Sequence, residues 1–553
     1  MLEQLITIVP LIAPALLLSY ALAVKTGFHR HLKLQLGSIG IIGIVVSILC
    51  ALLTSEYSVI QTSLLGMGGL GFSLRLDTLS TSIFIMIAIL GFIILRFSSK
   101  YMEGDPKKDI FFSRLAITIA AVELLVLSGN LFQLLFFWII TSICLHYLLT
   151  FYRNRPQAIA AARKKFIVAR LGDACLMIAV CLLYFQFGTG QLDVIFLELE
   201  STTFNMNLGI ASVLLVSAAL FKSAQFPTHG WLIEVVETPT PVSALLHAGL
   251  LNAGPFLMVR MSHLLIDSTA GNLLLIIVGG FTALFASVVY MTQSSVKTSL
   301  GYSSVAHMGF SLLLCGFGVY SAALLHIVSH SFYKAHAFLT SSSLVDSTMA
   351  YKVKLEKRMS NGLTIVLGTA ISIGIFTSCC WIWGINPYEE FHLMATEAVI
   401  IMGLSQLIIQ ALRYKKASVV TLMVTALAFG VSWSFLFLEN GARIVLGNQI
   451  PALSTPPPII AAATWILLTI YCLTLITQWL ALERKAKWTY ALGIHLRNGL
   501  YANVLFDRMI GSLKKEKFKW ANLTIREDHE NIINHFVIED TPKKENEVLL
   551  NEQ

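Results

Sequence analysis

The chain has 553 residues, of which 56% are hydrophobic and 13% are charged, and its formal net charge is +8. A soluble domain carries about 25% charged residues, and several apolar runs here exceed the roughly 20 residues that cross a bilayer, which excludes a soluble protein. The basic residues lie between apolar runs, so membrane topology explains the positive charge and nucleic-acid binding is not indicated. We therefore predict an all-α polytopic membrane protein.

The apolar runs predict about fifteen transmembrane helices, within a range of roughly 13 to 15. The first run is too long for the core of a cleavable signal, and only Glu3 precedes it where basic residues would be expected. The predicted spans cover residues 5–24, 36–53, 79–97, 110–128, 131–151, 166–187, 208–226, 241–265, 273–291, 299–318, 320–344, 363–385, 395–411, 418–438 and 459–481.

The loop charges predict the orientation of these spans. Lys and Arg concentrate in the loops after odd-numbered spans, as at 153–165, whereas the loops after even-numbered spans contain few, with Arg75 and Arg443 as exceptions. Because cytoplasmic loops carry an excess of Lys and Arg, we expect the N-terminus outside and the C-terminal tail in the cytoplasm.

The tail changes in composition beyond residue 482. It contains a basic part, 484–519, and then a mainly acidic part, 527–552. Apolar residues recur near helical spacing between 496 and 513, which predicts an amphipathic helix. Such a helix either lies on anionic lipid or docks a partner.

The cysteines and nucleotide motifs indicate no chemistry in this chain. All eight cysteines lie in apolar segments without CxxC spacing, so we expect them to be packing residues. The sequence has neither a Walker loop nor a GxGxxG fingerprint, so we expect no ATP or dinucleotide site. We expect no enzymatic site in this chain, and no cofactor and no metal of its own.

The stretch from 220 to 249, LFKSAQFPTHGWLIEVVETPTPVSALLHAG, places a lysine next to an interrupted helix. Lys222 lies in an apolar segment, where a charge costs roughly 3 kcal/mol on insertion scales and indicates a functional site. Proline and glycine residues break the helix over 222–241, and the freed backbone groups must face protein or a water-filled cavity. We interpret Lys222 as an ion relay; the alternative is a lysine fixed permanently by a buried carboxylate.

A few carboxylates could serve this lysine. Glu123 is a carboxylate in the middle of an early span and is predicted to be the counter-charge of Lys222, unless it lies in water at the membrane edge. Glu234 and Glu237 either form a proton entrance or cap the broken segment, and Glu237 directly precedes the TPTP turn. Arg170 and Asp173, three residues apart, are expected to form a structural ion pair.

Histidines dominate a second segment, LLHIVSHSFYKAHAFL. His326, His330 and Lys334 are spaced four apart and therefore share one helix face. No HExxH pattern supports a zinc site, so we interpret the row as a proton wire that His247 and His307 extend. Each of these histidines taken alone could instead be a hydrogen-bonded core residue.

These segments resemble those of a known family. The central stretch and LLHIVSHSFYKAHAFL, together with VKTSLGYSSVAHMGF and VARLGDACLM, are similar to the antiporter-like membrane subunits shared by respiratory complex I and Mrp-type cation/proton antiporters. The resemblance covers about residues 75–345. It implies two inverted five-helix repeats with broken helices that form proton half-channels, with Lys222 as the transport lysine.

On this basis we divide the chain into five parts. They are N-terminal transmembrane helices, a first repeat with the broken helix, a second and more divergent repeat, C-terminal transmembrane helices, and a basic, amphipathic cytoplasmic tail. Their ranges are 1–109, 110–265, 273–411, 412–481 and 482–553.

The sequence departs from the family pattern at two positions. The family pairs its lysine with a glutamate directly after a tryptophan, whereas here Ile139 follows Trp138. The second broken helix, TSCCWIWGINPYEEF, contains no lysine. Because the glutamate of the first departure is missing, we expect Glu123 to take its place as counter-charge of Lys222.

ARKKFIVARLGD and HLRNGLYANVLFDRMIG resemble a shorter branch, the membrane subunits of DAB-type inorganic carbon transporters (DabB). That resemblance implies a bacterial inner-membrane protein whose ion flow, by H⁺ or Na⁺, drives CO2 hydration to bicarbonate in a large soluble partner. The partner would be a zinc-binding, β-carbonic-anhydrase-like subunit (DabA-type), so the zinc is expected there. The alternative is a proton-pumping subunit of an NADH-quinone oxidoreductase or an Mrp-type antiporter.

Overall fold

Apolar runs interrupted by proline, glycine and charged loops dictate a chain of long helices joined by short connections. The computed structural model describes residues 2–26, 32–152, 155–235, 238–341, 362–386, 389–412, 417–452, 455–483 and 487–510. Residues up to Phe506 belong to one compact unit, and the described residues after it, 507–510, belong to a second.

The described chain contains helices on both sides of residue 266. Before it are α1 (Leu2–Lys25), α2 (Leu32–Tyr57), α3 (Thr78–Tyr101), α4 (Lys108–Val126), α5 (Leu131–Leu149), α6 (Pro156–Phe187), α7 (Leu192–Ser201), α8 (Met206–Lys222), α9 (Gly230–Glu234), α10 (Thr240–Ala248), α11 (Ala253–Arg260) and α12 (Ser262–Leu265). After it are α13 (Thr269–Leu274), α14 (Gly280–Tyr290), α15 (Val296–Gly316), α16 (Tyr320–Leu339), α17 (Gly362–Ile382), α18 (Phe391–Leu412), α19 (Ala417–Leu446), α20 (Pro458–Glu483), α21 (Lys487–Arg497) and α22 (Ala502–Ile510).

The helical, multi-pass architecture predicted from the sequence is confirmed. Among the described residues, 11 helical stretches are long and apolar enough to cross a membrane. Each predicted span overlaps a helix of the structure. Four of these spans coincide with helices that are not among the 11 candidate membrane helices, namely α4, α8, α15 and α16. Ionisable or hydroxyl side chains make α4, α15 and α16 less apolar, and α8 is 17 residues long. The count of fifteen spans and the two inverted repeats stay predictions.

Four short strands, which the sequence analysis did not predict, fill the connection between α2 and α3. They are β1 (Ile60–Gln61), β2 (Leu65–Met67), β3 (Leu70–Phe72) and β4 (Arg75–Leu76), with β1 paired to β4 and β2 to β3, both antiparallel. The inner hairpin turns at Gly68 and Gly69, whose φ angles are +58° and +76°. Two successive residues with positive φ form the type I′ turn that suits the twist of a hairpin, and glycine adopts it without a steric penalty.

A buried ion cluster fixes the start of α3 to the end of α11. Asp77 caps α3 by accepting a hydrogen bond from Ser80 N, forms an ion pair with Arg75 at 2.8 Å, and also pairs with Arg260. Burial alone would raise the pKa of Asp77, but the charges of Arg260 and Arg75 hold that pKa well below its usual range. Arg75 was an exception to the loop-charge pattern, and this buried pair is the structural reason for its position.

The helix containing Lys222 is interrupted as the sequence predicts. Helix α8 ends at Lys222, the short α9 follows at Gly230–Glu234, and the chain becomes helical again at Thr240. Helices α8 and α11 pack very closely, because a Cβ at Gly254 would lie 2.2 Å from Ser223 Oγ. This close packing positions the interrupted segment against the core.

The tail helix departs from its prediction. A single amphipathic helix through 496–513 is wrong, since α21 ends at Arg497 and α22 begins only at Ala502. Between them, Leu500 and Tyr501 have φ angles of +52° and +59°, which a continuing helix does not allow. Residues 511–513 lie outside the described chain.

Candidate functional site

The ammonium group of Lys222 is held by oxygens of helix α5. Its Nζ donates hydrogen bonds to the carbonyl oxygen of Trp138 at 2.9 Å, to Thr141 Oγ1 at 3.2 Å and to Ser142 Oγ at 2.8 Å. It also lies 4.4 Å from the centroid of the Trp138 ring, which adds a cation–π attraction. These contacts are all with neutral groups, so they stabilise an ammonium ion without fixing it in an ion pair.

Helix α6 contributes three charged side chains close to the Lys222 ammonium group. Asp173 attracts Lys222 electrostatically and forms an ion pair with Arg170 at 2.6 Å. Lys165 is buried, donates to the carbonyl oxygen of Ser142 at 2.7 Å, and lies close enough to Lys222 for mutual repulsion. The site therefore combines one carboxylate with three cationic side chains.

Glu123 is not among the side chains that contact Lys222. It is 2% exposed on α4, and its Oε2 atom has no hydrogen-bond partner among the described residues. No hydrogen bond or ion pair joins it to Lys222 in this part of the chain. Asp173 on α6 lies within electrostatic range of Lys222, but the two form no ion pair in the described chain. The pair of Arg170 and Asp173 expected from their spacing is present.

A second ion pair lies at the interrupted segment itself. Lys164 donates to both carboxylate oxygens of Glu234, at 2.7 and 2.6 Å. Asn503 of α22 donates to the same carboxylate at 2.6 Å, so a residue of the predicted tail contacts the segment next to Lys222. Of the two glutamates predicted here, Glu234 forms this bridge and Glu237 lies outside the described residues.

The second polar cluster contains Lys334 and His247. Lys334 is fully buried on α16, and its Nζ donates to the carbonyl oxygen of Leu300 at 3.2 Å. His247 on α10 shares a hydrogen bond of 2.9 Å with Ser304 and stacks on the ring of Phe338 at 4.2 Å. Lys334 lies within electrostatic range of His247, so the structure brings these two residues together.

The remaining histidines form a stack between α15 and α16. The ring centroids of His307 and His326 are 5.2 Å apart, those of His307 and His330 are 5.1 Å apart, and those of His326 and His330 are 5.9 Å apart. A cavity of about 1110 Å³, lined in part by His307 and His326, opens beside the stack toward α18, α19 and α20. The row predicted from the spacing is thus a physical cluster with access to a cavity.

A small cavity lies between the two clusters. It has a volume of about 20 Å³ and is lined by Thr141, which contacts Lys222, and by Asn252. The Asn252 side chain donates to Ser331 Oγ on α16 at 2.7 Å, and its Oδ1 atom has no partner in the described chain. The other lining residues are apolar, so a cavity of this kind is expected to stay dry.

Sequence reasoning missed one further buried acid. Glu397 on α18 is 0% exposed, and neither of its carboxylate oxygens has a hydrogen-bond partner among the described residues. The signal was present, because Glu397 lies in the apolar segment HLMATEAVII. Among the described residues, no group of three or more His, Cys, Asp or Glu side chains is arranged to hold a metal ion.

Two family models match the chain. Residues 128–391 match the transmembrane part of the NADH:quinone oxidoreductase/Mrp antiporter family, and residues 65–112 match the N-terminus of NADH-ubiquinone oxidoreductase (complex I) chain 5. The matched regions contain Lys222, Asp173 and the histidine stack. Glu397 lies beyond them.

Similar proteins and structures agree with these matches. The chain is 35% identical over 459 residues to a probable inorganic carbon transporter subunit DabB2 of Halothiobacillus neapolitanus, covering 82% of each chain. It is 38% identical over 326 residues to a probable DabB subunit of Hydrogenovibrio crunogenus, covering 58% of this chain and 62% of that one. Among solved structures, a chain of the Mrp complex from a Dietzia species superposes with a TM-score of 0.59 at 20% identity, covering 99% of this chain and 64% of that chain.

Proposed function

Since this chain belongs to the family of antiporter-like membrane subunits, we propose that it is the proton-translocating subunit of an inorganic carbon transporter. Its relatives over most of the chain are named as subunits of such transporters. The proposed task is to let ions flow through the membrane and to couple that flow to bicarbonate accumulation.

The main support for this proposal is the set of groups around Lys222. Three neutral oxygens and an indole ring hold its ammonium group, while Asp173 attracts it and Lys165 repels it. A lysine in such a balance can exchange its proton, whereas one locked directly to a carboxylate would stay charged. Lys222 is therefore the proposed central relay, and Asp173 replaces Glu123 as its proposed counter-charge.

The second cluster supplies the continuation of the path. His247, His307, His326, His330 and Lys334 lie together, and imidazole rings both accept and donate protons near neutral pH. Asn252 lines the same small cavity as Thr141 and donates a hydrogen bond to Ser331 on α16, so the surroundings of Lys222 adjoin the helix of the second cluster. For Glu123 and Glu237 a role in translocation stays a prediction.

The proposed chemistry of CO2 hydration lies in another subunit. We propose a large soluble partner that binds zinc and resembles β-carbonic anhydrases, while this chain supplies the driving ion flow. The proposed location is a bacterial inner membrane, with the N-terminus outside and the tail in the cytoplasm. The positive loops and the bacterial sources of the named relatives support this placement.

A second candidate is the proton-pumping subunit of a quinone oxidoreductase or an Mrp-type antiporter. The fold is shared with a chain of a Mrp complex. One matching family model names the NADH:quinone oxidoreductase and the Mrp antiporter, and the other names complex I. The sequence match favours the carbon transporter, because the chain is 35% identical to the DabB2 relative over 82% of that relative's length.

The test is purification of the tagged full-length chain from its native membrane in mild detergent. We expect a stoichiometric soluble partner that contains zinc and no flavin. Co-purification of flavin and iron–sulfur subunits, or of several antiporter subunits without a zinc protein, would overturn the proposal in favour of the second candidate.

A further inference from the structure

The three helices α17, α18 and α19 form an apolar core of their own, and Glu397 lies inside it. The core consists of Ile375, Cys379, Ile401, Ile408, Ala428 and Leu436. Glu397 is 0% exposed, and both of its carboxylate oxygens lack hydrogen-bond partners in the described chain. The ion path proposed above does not use this residue.

The polar groups around Glu397 are few. Ser432 of α19 faces it and attracts its carboxylate through the hydroxyl group, without a well-formed hydrogen bond. The titratable groups that face it are the thiols of Cys379 and Cys380 on α17. No basic side chain of the described chain forms an ion pair with it.

An isolated carboxylate in such surroundings is costly unless it binds a cation. Transferring an unpaired ionised carboxylate into an apolar medium costs at least several kcal/mol, so the group either binds a proton or pairs with another cation. Sodium requires several oxygen ligands, whereas Ser432 is the oxygen-bearing side chain that faces Glu397. The proton is the cation that these surroundings fit.

A charged cluster two helical turns away can exchange that proton. Arg443 forms ion pairs with Glu390 at 2.8 Å and with Glu439 at 3.1 Å, and its side chain is 36% exposed. Glu390 precedes Glu397 by seven residues, which is about 10 Å along a helix. Ser432 precedes Glu439 by the same interval on α19, so the Glu397–Ser432 level lies two turns inside the charged level.

The charged cluster also connects to the histidine helix. Ser321, at the start of α16, donates a hydrogen bond of 2.8 Å to Glu439 Oε1. The cavity beside His326 on the same helix is lined on its far side by residues of α18 and α19, among them Val399 and Ser434. The three-helix core therefore adjoins the histidine helix α16 at two places, the Ser321–Glu439 hydrogen bond and the cavity beside His326.

We propose that Glu397 is an additional proton-binding site of this chain, loaded through the Arg443, Glu390 and Glu439 cluster and serving the half that contains the histidine stack. This inference rests on the proposed function, because it assumes that protons move through the second half. It assigns an acidic relay to a region that has no lysine in its broken segment.

The test uses the complete complex reconstituted in vesicles, with Glu397→Gln, Glu397→Asp and the matched control Glu389→Gln. Glu389 is exposed in the same connection, so its replacement changes the same charge without touching the buried site. We expect E397Q to reduce proton flux about tenfold or more, E397D to keep part of it and E389Q to keep all of it. Infrared spectra at neutral pH should show a protonated-carboxyl band in the wild type and E389Q that disappears in E397Q.

Several results would overturn the inference. They are wild-type proton flux in E397Q, an unchanged carboxyl band in E397Q, or a flux that depends on Na⁺ and requires Glu397. Lys222→Ala in the same assay separates the two proposals: loss of flux in K222A with full flux in E397Q refutes the role of Glu397 alone, whereas full flux in both refutes the proposed function. If E397Q does not assemble, the band must shift in E397D, and an unshifted band refutes the site.

Discussion

Lys222 and Lys334 occupy comparable positions in the two polar clusters, but their surroundings differ. Lys222 has three oxygen acceptors, an indole ring and the nearby carboxylate of Asp173. Lys334 is fully buried, has one carbonyl acceptor at 3.2 Å, and forms no ion pair with any carboxylate in the described chain. Its ionisable neighbours are histidines.

The difference separates a site that holds a charge from one that passes it on. An ammonium ion with several acceptors and a nearby acid is well stabilised, whereas one with a single acceptor is not. In the proposed path, a proton in the second cluster passes among the histidine rings, because an imidazole both accepts and donates a proton. In the proposed path, the first cluster controls proton entry at Lys222 and the second transfers the proton onward among its histidines.

Removing the lysine of the first cluster should have the largest effect. We expect Lys222→Ala to lower ion-driven bicarbonate accumulation about 100-fold or more, because the proposed relay loses its central proton-binding group. The measurement is uptake of labelled inorganic carbon by intact cells, with the amount of assembled complex determined in parallel. Lys100→Ala, an exposed lysine at the end of α3, is the matched control and should leave uptake unchanged.

The acid of the first cluster should matter more than Glu123. We expect Asp173→Asn to lower uptake about tenfold, equivalent to about 1.4 kcal/mol of lost charge stabilisation, and Glu123→Gln to lower it much less. Both substitutions preserve side-chain shape, so the pair compares two buried carboxylates directly. Full activity in D173N together with loss of activity in E123Q would support Glu123, rather than Asp173, as the counter-charge of Lys222.

Single changes in the histidine stack should have intermediate effects. We expect His330→Gln to lower uptake about fivefold, which corresponds to about 1 kcal/mol, because two rings of the stack remain. The double variant His326→Gln/His330→Gln should lose far more than the product of the single effects. Simple multiplication of the two losses would show that the rings do not act as one conductor.

The contact between the tail and the interrupted segment should have the smallest effect on transport. A hydrogen bond to a charged carboxylate contributes about 1.5–3 kcal/mol, so Asn503→Ala should free the α22 segment while lowering uptake only about twofold. Limited proteolysis of the complex should then cut the tail faster than in the wild type. Asn498→Ala, which removes a local contact with Ile494, is the control, and equal cleavage in both variants would contradict the docking.

The sequence was sufficient to locate the main features of this fold. Membrane-length apolar runs predicted helices, the proline-rich stretch predicted the interruption after Lys222, and the four-residue spacing placed His326, His330 and Lys334 on one face. These features depend on local chemistry, which a sequence records directly. The Gly68–Gly69 hairpin was also recorded locally, as two adjacent glycines, but it lay between the helices being sought.

Pairing across helices could not be predicted in the same way. The choice between Glu123 and Asp173 depends on the rotation and depth of α4 and α6 relative to α8, which apolar periodicity does not fix. The same holds for Arg75 and Arg443, which broke the loop-charge pattern because distant carboxylates pair with them. Glu397 was missed because one acid in an apolar run shows its isolation only after the helices are packed.

The central claim is that protons cross the membrane through the site of Lys222. The most direct test is proton flux into vesicles that contain the purified complex, followed with an internal pH-sensitive dye after an imposed pH and voltage gradient. Wild-type vesicles should show a flux that Lys222→Ala abolishes and Lys100→Ala leaves intact. Equal flux through the wild-type and K222A complexes would contradict the account.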